Sequence, residues 1–117
     1  MKRYVRAAKL DQKKIYISAS NRKDVMEVLD DDDIEEFATD YVKGVIHEYE
    51  YDLECAKKYG WKKPKKLNPD TAARRGMKWF VSDVANGVIV DLVGYKVSND
   101  TRAKMLNVFK EVADELI

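Results

Sequence analysis

The sequence predicts an α+β fold: a predominantly helical single domain with an N-terminal β-hairpin and a long amphipathic central helix. Three observations support this prediction. Apolar residues make up 45% of the 117 residues and charged residues 37%, which suits a chain that buries one core. Near the start, apolar and basic residues alternate as they do in half-buried strands. Later segments carry apolar residues at the spacing of amphipathic helices.

The first predicted element is a β-hairpin over residues 2–18. Tyr4, Ile15 and Ile17 supply its apolar positions, and basic residues lie beside them. The connection between its two strands is short enough for a hairpin. A short helix is predicted next, over residues 22–29, because Ser20 or Asn21 can accept a hydrogen bond from the free amides at its start.

The strongest periodic signal predicts a central helix over residues 33–59. The aspartate run 30–33 precedes it and Lys57 and Lys58 end it, which matches the sign of the helix dipole, and Gly60 is a natural stop. Such a helix would be roughly 39 Å long, so we expect a bend near Gly44 or an end that protrudes from the domain. Its apolar positions are Ile34, Phe37, Ala38, Tyr41, Val42, Val45, Ile46, Tyr49, Leu53 and Ala56.

A basic loop is predicted over residues 60–68, because prolines and lysines interrupt both kinds of periodicity there. Asn68 and Pro69 then form a good helix start, with the asparagine as the cap and the proline in the first turn. We therefore predict a helix over residues 69–86, which Gly87 would end.

The remaining part of the chain predicts one ambiguous element and one clear helix. Residues 88–97 are rich in β-branched side chains and fit a third strand that joins the hairpin, although a continued buried helix would show the same apolar density. The last helix is predicted over residues 99–116. Ser98, Asn99 or Asp100 can cap it.

The charges are arranged in blocks although they nearly cancel, 22 Lys and Arg against 21 Asp and Glu. Residues 1–23 carry eight basic and one acidic side chain, whereas residues 24–54 carry thirteen acidic side chains and only Lys43 as a basic one. Residues 55–78 are again basic, with nine positive charges and one negative. Such blocks are typical of surfaces that meet charged partners, unless the fold brings opposite blocks together.

The acidic block predicts a protein-binding surface on the central helix. Carboxylates spaced along a rigid helix can imitate a phosphate backbone and occupy the basic groove of a nucleic-acid enzyme, with an association rate raised by electrostatic steering. The alternative is an ordinary solvated helix face. The residues of this predicted acidic surface are Asp31, Asp32, Asp33, Glu35, Glu36, Asp40, Glu48 and Asp52.

The basic loop and its neighbours predict a second surface, which binds phosphates or an acidic patch of the partner. Lysine and arginine displace counterions from phosphates, and an exposed tryptophan can stack on a base. The alternative is a solvated loop whose lysines neutralise the acidic helix. Trp79 is assigned to the core. The residues of this predicted basic surface are Lys57, Lys58, Trp61, Lys62, Lys63, Lys65, Lys66, Arg74 and Arg75.

No catalytic centre is indicated. His47 is the only histidine, which excludes a site that needs two imidazoles. Cys55 is the only cysteine and has no neighbouring general base. Metal binding by His47 with Glu50, Tyr51 and Glu54, or by the aspartate run 30–33, lacks the spacing of an EF-hand loop. We therefore expect no enzymatic activity, no metal and no cofactor.

The opening heptapeptide MKRYVRA resembles the starts of small accessory proteins that phages and mobile elements of Gram-positive bacteria encode. The resemblance implies a small inhibitor or regulator that works by binding. Anti-CRISPR proteins are one such class, and several of them mask nucleic-acid grooves with acidic surfaces. No catalytic or binding residue carries over from a match of seven residues.

We therefore expect a non-enzymatic protein that binds and inhibits or regulates a nucleic-acid-processing protein or nucleoprotein. One alternative is a direct DNA- or RNA-binding module that uses the lysine-rich loop and the hairpin. Another is a small hydrolase or metal-dependent enzyme. Its single cysteine, and a start that lacks the apolar stretch of a signal peptide, predict a cytoplasmic protein without a membrane partner. The target and the oligomeric state stay open.

Overall fold

A computed structural model describes residues 21–117 of the chain. In chain order the elements are β1 (Lys23–Asp24), α1 (Asp31–Tyr59), α2 (Pro69–Ala85), β2 (Tyr95–Lys96) and α3 (Asn99–Leu116). Short 3-10 turns occupy Val25–Glu27 and Val90–Leu92. This helix-dominated α+β architecture confirms the predicted fold class. The hairpin predicted over residues 2–18 lies outside the described residues.

The three helices pack around one hydrophobic core, and each of them contacts the other two. Phe80 of α2 lies at the centre of this packing. Its ring centroid is 5.1 Å from that of Phe37, 5.5 Å from that of Tyr41 and 6.3 Å from that of Phe109. The rings meet in the tilted and edge-on arrangements that aromatic pairs prefer. One buried ring on α2 therefore joins α1 to α3.

Side-chain caps at the start of α1 and a glycine after it define this helix. The Asp30 carboxylate accepts a hydrogen bond from the Asp33 backbone amide at 2.8 Å, and the Asp33 carboxylate accepts one from the Asp30 amide at 3.1 Å. After Tyr59, Gly60 adopts a left-handed conformation with φ of 70°. The central helix therefore begins two residues before its predicted start, at Asp31, and ends at the predicted residue.

The other two helices begin as the sequence predicts. The Asn68 side chain accepts a hydrogen bond from the Thr71 amide at 2.8 Å, with Pro69 in the first turn of α2. The Ser98 hydroxyl accepts one from the Thr101 amide at 3.2 Å at the start of α3. The predicted boundaries 69–86 and 99–116 are thus confirmed to within one residue.

The long central helix continues without interruption through Gly44. Val45 is the last residue of α1 that belongs to the described core, whereas Tyr51 and Tyr59 are 64% and 57% exposed. Cys55 is buried, but outside that core. The later half of α1 therefore lies mostly outside the described core, although Ala56 is buried there as well.

The helix predicted over residues 22–29 is wrong, because β1 and a 3-10 turn occupy this segment. The carboxylate of Asp24 accepts hydrogen bonds from the Met26 amide at 3.0 Å, the Ser98 amide at 3.2 Å and the Thr101 hydroxyl at 2.8 Å. These bonds hold Asp24 in an extended conformation and join it to the start of α3. Partners more than 70 positions away in the chain override the local helical pattern.

The third strand predicted within residues 88–97 is confirmed only for the two residues of β2. β2 pairs in parallel with β1, with Lys23 opposite Tyr95 and Asp24 opposite Lys96. The strand is short because a 3-10 turn precedes it and Gly94 adopts a positive φ of 84° directly before Tyr95. Within residues 21–117, its strand partner is therefore β1, whereas the sequence analysis placed it beside the hairpin.

Candidate functional site

The first candidate surface is the acidic side of the first half of α1. Asp31, Asp32 and Glu35 are exposed there, and Glu36 and Asp40 are partly buried. A shallow recess of about 380 Å³ lies among them, lined by Asp32, Glu35, Glu36, Thr39 and Asp40. Positions three or four residues apart lie on one side of a helix, which is why this sequence pattern gathers four carboxylates around one recess. The result is a strongly negative surface.

Six of the eight predicted acidic residues form no ion pair with a lysine or arginine of residues 21–117. Within residues 21–117, the ion pairs join Asp70 to Arg74 at 3.0 Å and Asp70 to Lys110 at 3.6 Å, and neither involves α1. No described lysine or arginine forms an ion pair with the following carboxylates of α1: Asp31, Asp32, Glu35, Asp40, Glu48 and Asp52. Within this part of the chain, no ion pair joins the lysine-rich loop to α1. The alternative in which the loop neutralises the acidic helix is therefore not supported by these residues.

Asp33 differs from the other residues of the predicted acidic surface. Its side chain is only 8% exposed, and its carboxylate caps the start of α1. The run 30–33 consists of one residue type, so the sequence pattern predicts Asp33 to be exposed like its neighbours, and this prediction is wrong. Asp33 is therefore part of the helix cap and does not contribute to the exposed surface.

Asp40 and Glu48 also line a cavity of about 460 Å³ between α1 and α2. Residues 40, 44 and 48 follow one another at four-residue spacing, so they face α2 together. α2 contributes Asp83, which no motif in the sequence marks as a site residue. The hydroxyl of Tyr41 donates a hydrogen bond to Asp83 Oδ2 at 2.6 Å. Among the described residues, the lining is Asp40, Tyr41, Gly44, Glu48, Trp79, Ser82 and Asp83.

The second candidate surface is the basic loop with the end of α1. Trp61 is 62% exposed, and its ring centroid lies 5.2 Å from that of Tyr59. The Lys58 ammonium lies 5.4 Å from the Tyr59 ring centroid. A cavity of about 480 Å³ beside these rings is lined in part by Lys57, Trp61 and Lys63. The structure therefore combines exposed aromatic rings with cations, as nucleic-acid and protein-binding surfaces do.

The remaining predicted basic residues divide into two groups. Lys62, Lys65 and Lys66 are exposed in the loop. Arg74 and Arg75 are exposed on α2, but Arg74 donates a hydrogen bond to Asp70 at 3.0 Å on its own helix. This bond lowers the pKa of Asp70. Desolvation raises that pKa, whereas the charges of Arg74 and Lys110 lower it further. Arg74 is thus less available to a partner than the lysines of the loop.

Other kinds of site find little support in residues 21–117. No three of the described His, Cys, Asp and Glu side chains are arranged to bind a metal ion. Cys55 is a free, buried thiol. None of the helices in this range combines the length and the apolar character needed to span a membrane. Comparisons with family models, curated proteins and solved structures give no match.

Proposed function

We propose that this protein binds a nucleic-acid-processing protein or nucleoprotein and thereby inhibits or regulates it. The acidic surface of α1 faces the partner's lysines and arginines, and the basic loop 60–68 contacts phosphates or an acidic patch of the same assembly. An anti-CRISPR-like inhibitor is one class that acts in this way. The partner is cytoplasmic, where a free thiol such as Cys55 stays reduced.

One observation supports this proposal above the others: the α1 carboxylates Asp31, Asp32 and Glu35 are exposed and form no ion pair with a described lysine or arginine. Like charges gathered on one rigid helix repel each other, so they weaken the isolated fold slightly. A basic groove would relieve that repulsion, and the long-range attraction would accelerate association. A groove that normally holds nucleic acid has the required charge.

The test is affinity capture from a nuclease-treated bacterial lysate, with the captured proteins identified by mass spectrometry. We compare the wild-type protein with a double variant that carries Glu35→Lys and Asp52→Lys. Both residues are exposed, and neither lines the cavity between α1 and α2. We expect nucleic-acid-binding proteins to be captured by the wild type and lost with the double variant.

A matched control carries Glu111→Lys and Glu115→Lys, which change the net charge equally on exposed positions of α3. The control should retain the captured proteins. Equal loss in both variants would mean that only the total charge matters, and unchanged capture by the α1 variant, with the fold intact, would refute the proposal.

A second function, direct binding of DNA or RNA, is favoured by Trp61, which is 62% exposed and stands among lysines. Stacking of a base on such a ring is worth about 1–3 kcal/mol. If this function holds, the purified protein binds mixed-sequence single-stranded DNA or RNA at low salt, and the affinity falls steeply as salt is added. Trp61→Ala should weaken that binding by roughly 5- to 150-fold. Absence of binding at low salt excludes this function.

A further inference from the structure

The cavity between α1 and α2 is bounded by an aromatic ring that lies directly over the backbone of α1. Gly44 has no side chain, and a Cβ atom at this position would lie 3.7 Å from the Cζ3 atom of Trp79. The absent side chain leaves room beside the indole ring, and the cavity volume is about 460 Å³. This volume lies within the range of pockets that bind small ligands or single side chains.

The chemistry of the cavity wall is that of a site for a cation. Asp40, Glu48 and Asp83 all line it, and none of them forms an ion pair with a lysine or arginine of residues 21–117. The Tyr41 hydroxyl donates to Asp83 Oδ2 at 2.6 Å and so fixes the orientation of that carboxylate. The wall therefore offers three negative charges from two helices.

Asp40 is partly buried in the cavity wall. Its Oδ2 atom is closed off from solvent and accepts no hydrogen bond from the described residues. A carboxylate with an unpartnered oxygen is poorly stabilised, and a hydrogen-bond donor that carries positive charge and contacts the exposed part of this carboxylate would stabilise the group most.

A guanidinium group fits these features better than other cations. Its plane can stack on the indole ring of Trp79 while its N–H groups donate to the carboxylates on either side. A lysine ammonium is a compact, strongly hydrated charge that lacks this plane. A metal ion is disfavoured, because the carboxylates of the described residues do not converge in the way that metal coordination requires.

We propose that this cavity binds the guanidinium group of an arginine side chain of the partner protein. The inference rests on the proposed function, since a groove that binds nucleic acid exposes arginines. It assigns a specific contact to Asp40, Glu48 and Trp79, in addition to the general attraction by the acidic surface.

The test uses the intrinsic fluorescence of Trp79 in a Trp61→Phe background, which leaves one tryptophan in the chain. The probe is the peptide acetyl-Gly-Arg-Gly-amide, titrated at low ionic strength. The control peptide replaces arginine with citrulline, which has nearly the same shape but no charge. We expect a saturable change with the arginine peptide and at least tenfold weaker binding of the citrulline peptide. A lysine peptide should bind with intermediate affinity.

Two matched variants separate a defined site from general attraction. Glu48→Gln removes one carboxylate from the cavity and should weaken binding of the arginine peptide about tenfold. Glu35→Gln removes one carboxylate that lies outside the cavity and should change the affinity by less than about twofold. Both residues are exposed, so both variants should fold, which circular dichroism verifies. Equal binding of the two peptides, or equal effects of the two variants, would overturn the proposal.

These outcomes are distinct from those that test the proposed function. If the arginine peptide does not bind but partner capture still depends on Glu35 and Asp52, the cavity is not an arginine site and the proposed function stands. If the arginine peptide binds specifically but no partner is captured through those residues, the proposed function is wrong and the cavity remains a guanidinium site.

Discussion

The hydrogen bonds of Asp24 allow a quantitative prediction for the substitution Asp24→Ala. Three donors lose their acceptor: the Met26 amide, the Ser98 amide and the Thr101 hydroxyl, at 3.0, 3.2 and 2.8 Å. Each such bond contributes about 1 kcal/mol when the carboxylate is partly exposed, so the free energy of unfolding should fall by about 2–3 kcal/mol. Thr101 itself is only 5% exposed, so water cannot easily replace the lost acceptor.

The same group makes the effect depend on pH. Burial raises the pKa of Asp24, but the hydrogen bonds from Met26, Ser98 and Thr101 together outweigh burial and place the pKa below its ordinary value of 3.8. A carboxyl whose pKa is lowered by folding contributes stability that is complete above its unfolded pKa and is lost as the pH falls through the folded one. The difference between wild type and Asp24→Ala should therefore be larger at pH 7 than at pH 3.

The assay is urea denaturation followed by circular dichroism at both pH values, with Asp52→Asn as the control. Asp52 is exposed and has no cation partner among the described residues, so its substitution should change the free energy of unfolding by less than about 0.5 kcal/mol. A loss below about 0.5 kcal/mol for Asp24→Ala at pH 7 would refute the role given to this network.

Three further substitutions test the helix packing by the same denaturation assay. Gly44→Ala should raise the free energy of unfolding by about 0.5–1 kcal/mol, because among the described residues the added methyl group meets only Trp79, at an ordinary contact distance of 3.7 Å. A loss of stability would contradict the open space at Gly44. Gly76→Val should cost about 1–3 kcal/mol, because even its Cβ atom would lie 3.4 Å from the backbone carbon of Tyr41. Phe80→Ala should cost about 3–5 kcal/mol, since its ring is fully buried, and a cost near zero would argue against its central position.

Local signals explain why much of the fold could be predicted from the sequence. The starts of α2 and α3 depend on Asn68 and Ser98, whose cap bonds reach only three residues ahead, and the end of α1 depends on Gly60. The segment around Asp24 could not be predicted in this way, because its carboxylate bonds to residues at the far end of the chain. The helical pattern of residues 22–29 therefore predicts the wrong secondary structure.

The candidate site shows the same division. Asp32, Glu36 and Asp40 follow one another at four-residue spacing, so spacing alone predicts that these acidic residues of α1 share one side of the helix. The position of Asp83 opposite Asp40 depends on how α1 packs on α2, and no motif in the sequence specifies that packing. The run of aspartates 30–33 likewise concealed the difference between exposed Asp32 and the buried capping residue Asp33.

The proposed function requires that the exposed carboxylates of α1 are not neutralised within the protein, and charge reversal measures this most directly. The double variant with Glu35→Lys and Asp52→Lys is compared with wild type by urea denaturation at low and at high salt. If the carboxylates lack internal partners, the free energy of unfolding stays within about 0.5 kcal/mol of wild type or rises at low salt, because repulsion along α1 is relieved. A loss of more than about 1 kcal/mol at low salt that disappears at high salt would show that cations of the protein itself hold these carboxylates, and would contradict the account.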